Sequence, residues 1–457
     1  MRPLFRLLLA STTALSAAQA PLPSAPASAI VDISPQGGTF SEPGIALDPN
    51  DPNRLVVVYQ VGAFAAYSTD AGKTFRPAPT SHPTGYRIAG DVSTAFDSLG
   101  HVFLCYLAFD HLGTPQYWAH NAGRNGIFVR RSLDAGKTWE QDSIPVKAFP
   151  TGREPGLQFE DQPRIFADNS PASPYRNYLY VGWIEWQLDK SIMLFSRSTD
   201  DGLTWSPAIR ISTHAGLPRD DNGAVGGFVA AIAPDGALCA IWHDGNAITM
   251  TESHDGGNTF SPSHAIIETG PPYFDEVTAV YRVGGFPQIA IDPKSRNLYI
   301  AWSDYRNGDI DVFIAASSDY GRHWSEPTRV NDDPLHDGSD QFLEWMAVDP
   351  VTGAVYVQFY DRRADPANTK IRLTLARSTD GARRFTNYAW SKNEFVSNGA
   401  FLGDYTWLTA YNNRVYGVWT EAVPNVIPQP TPGAEPSGAP RVSTVIRFGL
   451  ADFSAPR

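Results

Sequence analysis

Residues 68–75 read STDAGKTF, and the chain repeats this pattern five more times. The later copies are SLDAGKTW at 132–139, STDDGLTW at 198–205, SHDGGNTF at 253–260, SSDYGRHW at 317–324 and STDGARRF at 378–385. Their aspartates are separated by 55 to 66 residues. This period matches one four-stranded propeller blade with its loops and exceeds that of most solenoid repeats. The repeat therefore predicts a β-propeller.

A second recurring unit precedes each copy and consists of two apolar strands joined by a turn. Examples are GIALDPNDPNRLVVVYQ at 44–60 and PQIAIDPKSRNLYIAWSD at 287–304, in which Asp-Pro and Asn residues supply turn chemistry. Counting these hairpins gives seven units, because one at about 399–421 follows the last copy. We predict an all-β fold, a single propeller of seven blades with six as the alternative. The strand AIVDIS at 29–34 is expected to close the ring beside STVIRFGL at 443–450.

The repeated Ser, Asp and Gly residues are predicted to shape a turn rather than to act on a substrate. The Ser and Asp side chains can accept hydrogen bonds from turn amides, and the Gly can take a positive φ. In the sixth copy Ala382 stands at the Gly position, so that turn needs another geometry or carries strain.

The composition limits where the protein acts and on what. The 457 residues carry a formal net charge of -12 and no Lys/Arg run, which disfavours nucleic acid and anionic membranes as partners. Residues 1–29 are predicted to be a secretory signal peptide and short leader, cleaved between 18 and 29, and 30–457 the propeller. We expect a secreted or periplasmic monomer without a transmembrane segment. Cys105 and Cys239 lie in non-adjacent repeats and are predicted to be free and buried.

The six copies resemble the BNR/Asp-box repeats of the sialidase superfamily, over nearly the whole mature chain. The resemblance implies the propeller fold, but that superfamily contains sialidases, other glycosidases, carbohydrate lyases and propellers without activity. It favours a secreted, sialidase-like glycoside hydrolase that acts on a glycan or glycoconjugate at the channel mouth. The alternative is a non-catalytic propeller that binds a glycan or a protein.

Strand order in such a blade places the Asp boxes on one face and unlike loops on the other, including a Pro-rich loop at 424–440. Acidic residues recur at strand ends on the face of unlike loops. They are Asp110, Asp244, Asp304, Asp361 and Glu421 after second strands, and Glu42, Asp91, Asp161, Asp340 and Asp404 before first strands. Convergent carboxyl groups can act as general acid and base, hold sugar hydroxyls or bind Ca²⁺. We predict that the channel mouth is lined by Asp91, Asp161, Asp340 and Asp404.

The sialidase resemblance also implies specific roles on this face. Sialidases hold the substrate carboxylate with three arginines and use a Tyr nucleophile, a Glu partner and an Asp acid/base. The arginine candidates are Arg87, Arg164 and Arg282, the catalytic candidates are Asp91, Tyr405 and Glu276, and the further substrate-binding candidates are Asp161, Asp340 and Asp404. The segment YRIA at 86–89 departs from the family's Phe/Tyr-Arg-Ile-Pro in its last residue, and it follows the first repeat instead of preceding it.

The charge of this face favours another substrate class. An acid-rich mouth repels the carboxylate of a sialic acid unless arginines cluster there, so a neutral sugar is held more easily. We expect no cofactor and no metal, with calcium at 331–333 together with Asp337 and Asp340, or at 220–222, as a minor alternative. The sequence contains no zinc-hydrolase, serine-hydrolase or phosphate-loop motif.

Overall fold

The computed structural model of the chain describes residues 21–60, 62–80, 83, 85–111, 122–149, 158–218, 223–270, 276–424, 426 and 442–454, without the side chains of 276 and 281. These ranges contain 31 β-strands and no α-helix, which confirms the all-β prediction. Residues 1–20 of the predicted signal peptide and leader, and nearly all of the Pro-rich loop, lie outside the described residues.

The strands form seven four-stranded sheets, each of which is one blade. β1 (Ala29–Asp32) precedes the first blade. Blade 1 contains β2 (Ser41–Leu47), β3 (Leu55–Gln60), β4 (Phe64–Ser68) and β5 (Arg76–Ala78). Blade 2 contains β6 (Ile88–Phe96), β7 (Val102–Phe109), β8 (Asn125–Ser132) and β9 (Ile144–Phe149). Blade 3 contains β10 (Gln158–Ala167), β11 (Leu179–Gln187), β12 (Ser191–Ser198) and β13 (Ile209–Arg210).

The second half of the ring repeats this arrangement. Blade 4 contains β14 (Val225–Ile232), β15 (Leu238–Asp244), β16 (Ala247–Ser253) and β17 (His264–Glu268). A separate hairpin of β18 (Glu276–Val277) and β19 (Val280–Tyr281) follows. Blade 5 contains β20 (Gln288–Ile291), β21 (Leu298–Asp304), β22 (Asp311–Ser317) and β23 (Thr328–Arg329). Blade 6 contains β24 (Gln341–Val348), β25 (Val355–Asp361), β26 (Lys370–Ser378) and β27 (Thr386–Ala389), with β28 (Phe395–Val396) also on β26. Blade 7 contains β29 (Trp407–Tyr411), β30 (Arg414–Val423) and β31 (Ser443–Asp452).

The N-terminal strand closes the ring, as predicted. β1 is the outer strand of blade 7 and pairs antiparallel with β31, with Ala29 opposite Leu450 and Asp32 opposite Arg447. This pairing completes a four-stranded blade from the two ends of the chain and covers the free edge of β31. Seven blades, rather than six, are therefore confirmed.

The innermost strands surround the central channel. Each first strand contacts the first strand of the next blade, in the order β2, β6, β10, β14, β20, β24, β29 and back to β2. The second strands have neighbouring blades on both faces, which is why they are apolar without alternation, and β7 is buried along its whole length. Cys105 in β7 and Cys239 in β15 are buried and unpaired, as predicted. Burial raises the pKa of the Cys239 thiol to about 12.

The repeated turn is a closed hydrogen-bond unit. In the first copy Ser68 donates its hydroxyl to Asp70 Oδ1 at 2.8 Å and accepts the Gly72 amide at 2.9 Å. Thr74 donates its amide to Asp70 Oδ1 at 2.9 Å and its hydroxyl to Oδ2 at 2.6 Å. The Ser and Asp contacts recur in the other five copies, at Asp134, Asp200, Asp255, Asp319 and Asp380.

The sixth turn keeps the backbone of the first copy, with its glycine at the other of the two left-handed positions. Its two left-handed residues are Gly381 with φ 76° and Ala382 with φ 64°. In the first copy these positions are held by Ala71 with φ 60° and Gly72 with φ 82°. The glycine has therefore moved by one position, and the left-handed alanine costs about 1–2 kcal/mol in either order.

Glycine at the second of these positions also lets the turn touch the preceding blade. A Cβ on Gly72 would lie 2.3 Å from the ring of Phe448, which is fully buried in blade 7. A Cβ on Gly381 would meet nothing closer than the Tyr299 hydroxyl at 3.9 Å. The two glycines thus share a left-handed backbone but differ in the space around them.

We predict that Gly72→Ala destabilises the protein more than Gly381→Ala. Both substitutions introduce the left-handed penalty of about 1–2 kcal/mol, and Gly72→Ala adds an overpacking cost of about 1–3 kcal/mol at the junction of blades 1 and 7. Urea unfolding measures the difference in the free energy of unfolding between the two variants, provided that their m-values are equal. Equal losses of stability would show that the contact between Gly72 and Phe448 does not constrain ring closure.

Candidate functional site

In five blades the innermost strand contains a β-bulge at its end on the channel mouth. Two residues there stand opposite one residue of the second strand, as between the pairs Gly90 with Leu107 and Ser93 with Cys105. The first bulge residue has a positive φ, which is 51° at Glu42, 48° at Asp91, 53° at Gln162, 74° at Gly227 and 52° at Leu343. Four of the five are not glycine, so surrounding contacts must hold this costly conformation.

Hydrogen bonds across blade boundaries hold the bulges in place. The Asp91 amide donates to Gln60 Oε1 at 3.0 Å, and the Gln162 amide donates to Asp91 Oδ2 at 3.2 Å. The Gly227 amide donates to Gln162 Oε1 at 3.4 Å. Side-chain oxygens of one blade therefore accept the bulge amides of the next, from blade 1 to blade 4. At the ring closure the Asp404 amide of blade 7 donates to Glu42 Oε1 at 3.2 Å.

Four acidic residues meet at this mouth, and we name them the acid row: Glu42, Asp91, Asp161 and Asp404. Glu42 and Asp161 are buried, with exposed fractions of 1% and 3%, and Asp404 is nearly as buried. Asp91 lies between Glu42 and Asp161, interacts with both, and is the partly exposed member of the row. Asp91 is therefore the carboxyl group that a molecule in the channel mouth can reach.

Burial and mutual repulsion keep protons on the acid row. Burial raises the pKa of Glu42 well above its ordinary range, and the charges of Asp91 and Asp404 raise it further. Burial and Asp91 likewise raise the pKa of Asp161, although Trp186 Nε1 donates to Asp161 Oδ2 at 2.8 Å. Carboxyl groups this close cannot all ionise at neutral pH. The protonated forms of Glu42 and Asp161 are therefore favoured more than those of exposed carboxyl groups.

A cation reaches the acid row from the hairpin between blades 4 and 5. Arg282, directly after β19, has φ 62° and donates to Asp404 Oδ2. The tip of the hairpin is anchored on blade 6, because the fully buried Arg362 donates to the Thr278 carbonyl at 2.7 Å. The positive charge of Arg282 lowers the pKa values of Glu42 and Asp161, which opposes but does not cancel burial.

Arg164 and Tyr405 form a second feature of the mouth. The Arg164 guanidinium lies 3.8 Å from the centre of the Tyr405 ring, and both residues are buried. The Tyr405 hydroxyl donates to the Val92 carbonyl at 3.1 Å. Burial, followed by the charge of Glu42, raises the pKa of Tyr405 well above its usual value, so this hydroxyl stays protonated at neutral pH.

The remaining predicted residues lie elsewhere. Arg87 is exposed, directly before β6. Asp340 lies outside the acid row, and its carboxylate accepts the Ile310 amide at 3.2 Å and Asn368 Nδ2 at 2.6 Å. Glu276 belongs to β18, and its side chain is outside the description. The structure thus brings together Asp91, Asp161, Asp404, Arg164, Arg282 and Tyr405.

Of the two calcium candidates, 220–222 lies outside the described residues, and 331–333 is held by arginines. Asp332 and Asp333 both pair with Arg363, the second at 3.6 Å. Asn331 Nδ2 donates to Asp333 Oδ1 at 2.7 Å. Arg329 adds a second cation near Asp333. The acidic oxygens here are already neutralised by protein groups.

Within the described ranges one group of three metal-ligand side chains lies together, formed by Asp97, His101 and Asp201. Arg131 donates to Asp201 Oδ2 at 2.6 Å, and Asp97 Oδ1 accepts the Leu99 and His101 amides. The Asp97 bonds close the turn between β6 and β7 of blade 2, and the Arg131 bond joins β8 of blade 2 to the repeated turn of blade 3. The described residues include no helix long and apolar enough to cross a bilayer.

Three residues of the mouth were missing from the predicted site. Glu42 was identified only as one of many strand-start acids, and Gln60 and Gln162 were not identified. A usable signal exists in the sequence, because a polar residue recurs within or just before four of the first strands, in SEPG, GDVS, DQPR and GDYT. What the sequence does not show is the bulge, which turns these residues toward one another.

Comparison with known proteins shows similarity of fold. No protein-family model and no curated protein matches the sequence. A protein of unknown function from Dyadobacter fermentans is 15% identical over 93% of this chain and 98% of that chain, with a TM-score of 0.49. A Hadza microbial sialidase is 17% identical over 88% of this chain and 74% of that chain, with a TM-score of 0.48. The GH93 α-L-arabinofuranosidase of Fusarium graminearum is 15% identical over 74% of this chain and 93% of that chain, with a TM-score of 0.47.

Glu344, the second bulge residue of blade 6, gives the fold a dependence on pH. Its carboxyl group is buried, and burial raises its pKa from 4.5 to about 7. In the unfolded chain this group has a pKa of about 4.3. Between these values the folded state binds more protons, so stability falls as the pH rises through this window.

We predict that Glu344→Gln reduces the loss of stability between pH 5 and pH 8. The wild type should lose roughly 1–3 kcal/mol more than the variant over this interval, since one pKa unit corresponds to about 1.4 kcal/mol. Denaturant unfolding at both pH values gives the comparison. Identical pH dependence in the two proteins would mean that Glu344 has an ordinary pKa in the folded state.

Proposed function

We propose that the protein is a glycoside hydrolase whose acid row acts at the channel mouth. One observation carries the proposal: a partly exposed carboxyl group, Asp91, lies between two buried carboxyl groups whose pKa values are raised. Glycosidic cleavage needs a carboxylic acid that is still protonated near neutral pH, next to a carboxylate. The raised pKa values of the buried Glu42 and Asp161, on either side of Asp91, support this assignment.

The chemistry follows from the order of the groups. Asp91, supplied with a proton by Glu42 or Asp161, gives it to the leaving-group oxygen as the glycosidic C–O bond breaks. The remaining carboxylates of the row face the positive charge that develops on the sugar ring. Water then adds to the sugar carbon and returns a proton to Asp91. One glycoside and one water become a hemiacetal sugar and an alcohol, and Asp91 passes its proton back to Glu42 or Asp161, so the row ends in its starting state.

A sialidase-like version of this mechanism assigns the nucleophile to Tyr405, its partner to Glu276 and the substrate carboxylate to Arg87, Arg164 and Arg282. Tyr405 would have to give up its bond to the Val92 carbonyl before attacking a sugar carbon. Arg282 would have to exchange Asp404 for the substrate. We therefore place the acid row, rather than an arginine clamp, at the centre of the proposal.

The proposal also includes the setting of the enzyme. We propose a secreted or periplasmic monomer that needs no cofactor and takes a carbohydrate as its partner. A binding propeller without turnover uses the same mouth, and it is the outcome if carbohydrates bind and none is cleaved. The net charge of -12 disfavours nucleic acid in either case.

We predict that Asp91→Asn lowers kcat by about 100- to 10,000-fold, the usual contribution of a general acid. Asn suits the left-handed backbone at this position and can still accept the Gln162 amide, so the melting temperature should change little. Aryl glycosides of neutral sugars, an aryl arabinofuranoside and an aryl sialoside form the assay panel.

Asp134→Ala on the opposite face is the matched control. Loss of its turn bonds should lower stability by about 1 kcal/mol and leave kcat unchanged. Full activity of Asp91→Asn would refute the role of the acid row. A wild type that cleaves nothing in the panel but binds sugars would favour the non-catalytic alternative.

A further inference from the structure

A cleft opens beside the acid row, between blades 3, 4 and 5. Gln162 and Arg282 line it, and both also belong to the mouth, since the Gln162 amide donates to Asp91 and Arg282 donates to Asp404. The cleft is therefore continuous with the groups proposed to break the glycosidic bond. A molecule bound to Asp91 can extend into it without crossing a blade.

The walls of the cleft combine aromatic rings with bare backbone. Phe286 and Tyr305 are partly exposed and line it from the blade 5 side. On the blade 4 side Gly226 lines it, and a Cβ there would lie 3.7 Å from Ile184 and 3.8 Å from Phe286. Small-molecule sites commonly have apolar and aromatic walls and a few fixed polar groups. Such a site suits a sugar ring, which has an apolar face and hydroxyl groups at its edges.

The charged groups of the cleft are already neutralised. Although burial opposes it, hydrogen bonds from Arg306, the Gly270 amide and Trp302 hold the pKa of Asp304 below its usual value. Arg306 Nε lies 2.8 Å from Asp304 Oδ1, and Arg282 is paired with Asp404. Each of these two arginines therefore already has a carboxylate partner, and an anionic ligand would have to displace it.

The remaining polar groups also disfavour an anionic ligand. His243 lines the cleft, and burial lowers its pKa to about 4, so it is neutral at pH 7 and acts as a hydrogen-bonding group. Glu344 lies behind Gly285, where a Cβ would be 2.5 Å from Glu344 Oε2. Its pKa of about 7 leaves it partly ionised at neutral pH, which adds negative rather than positive potential.

We propose that this cleft is a subsite for one uncharged sugar ring, adjacent to the bond cleaved at Asp91, so that the substrates are neutral glycosides. This inference rests on the proposed function for the position of the cleaved bond. The binding of a neutral ring in the cleft is inferred from the residues that line the cleft, independently of the proposed reaction. Phe286 and Tyr305 hold the ring faces, and Gln162 and His243 contact the hydroxyls.

Binding of methyl glycosides to the wild-type chain tests the proposal without requiring turnover. The neutral probes are methyl β-D-galactopyranoside, methyl α-D-glucopyranoside and methyl α-L-arabinofuranoside, and the anionic probes are the methyl glycosides of glucuronic acid and N-acetylneuraminic acid. Saturation-transfer NMR and titration measure affinity. At least one neutral probe should bind at least tenfold more tightly than both anionic probes.

Gly226→Ala and Gly226→Val place atoms in the cleft at a position whose backbone φ is not left-handed. Each should weaken binding of the neutral probe, by threefold or more for Gly226→Ala and by tenfold or more for Gly226→Val. Tyr305→Ala should also weaken binding, because it removes an aromatic wall instead of filling space. The matched control is Gly123→Ala, whose Cβ would meet only Asp110 Oδ2 at 3.7 Å. It should bind as the wild type does, and all four variants should keep the wild-type melting temperature within a few degrees.

The outcomes separate the two proposals. Wild-type affinity in both Gly226→Val and Tyr305→Ala, or preference for an anionic probe, overturns the subsite. If Gly226→Val and Tyr305→Ala lose the neutral probe while Asp91→Asn cleaves as fast as the wild type, the subsite stands and the acid-row mechanism fails. If Asp91→Asn is inactive and yet binds the neutral probe normally, both proposals are supported.

Discussion

The β-bulge in the innermost strands is the constraint on which the channel mouth depends. In blades 1, 2 and 3 the bulge puts Glu42, Asp91 and Gln162, respectively, into a left-handed backbone conformation. Such a backbone is unfavourable for any residue but glycine, so it persists only where its amides find partners. The partners are side-chain oxygens of neighbouring blades, and the same side chains make up the mouth. Structure and candidate chemistry therefore use one set of atoms.

Concentrating carboxyl groups in this way has an electrostatic consequence. Burial and the charge of Asp91 raise the pKa values of Glu42 and Asp161, and a positive charge from outside the blades lowers them in part. Arg282 supplies it from the hairpin of β18 and β19, which Arg362 holds against blade 6. The ring itself contributes Arg164, from β10. Arg282 adds a second cation because an insertion between two blades reaches across to a third.

Several features of the site follow from the sequence, and others depend on geometry that no local pattern contains. Asp91 and Asp161 each lie at or beside a left-handed residue of a first strand, whereas Asp404 follows the left-handed Gly403 in the segment before β29. Asp340 occurs before a first strand too, but it precedes the bulge residue Leu343 of its blade and turns to Asn368 instead. An offset of a few residues thus changes the partner of a carboxylate. The sequence marks the acids, and the register of each blade selects among them.

By itself the sequence determined the fold class, the seven blades, the closing strand and the turns built on Ser and Asp. These are set by short-range hydrogen bonds and by apolar periodicity, which repeat legibly along the chain. Only the tertiary structure decided that Asp91 is the reachable member of a proton-sharing row, that Arg282 faces Asp404, and that a cleft with neutralised charges adjoins them. Those facts depend on contacts between blades distant in sequence, and they arise only when the ring is closed.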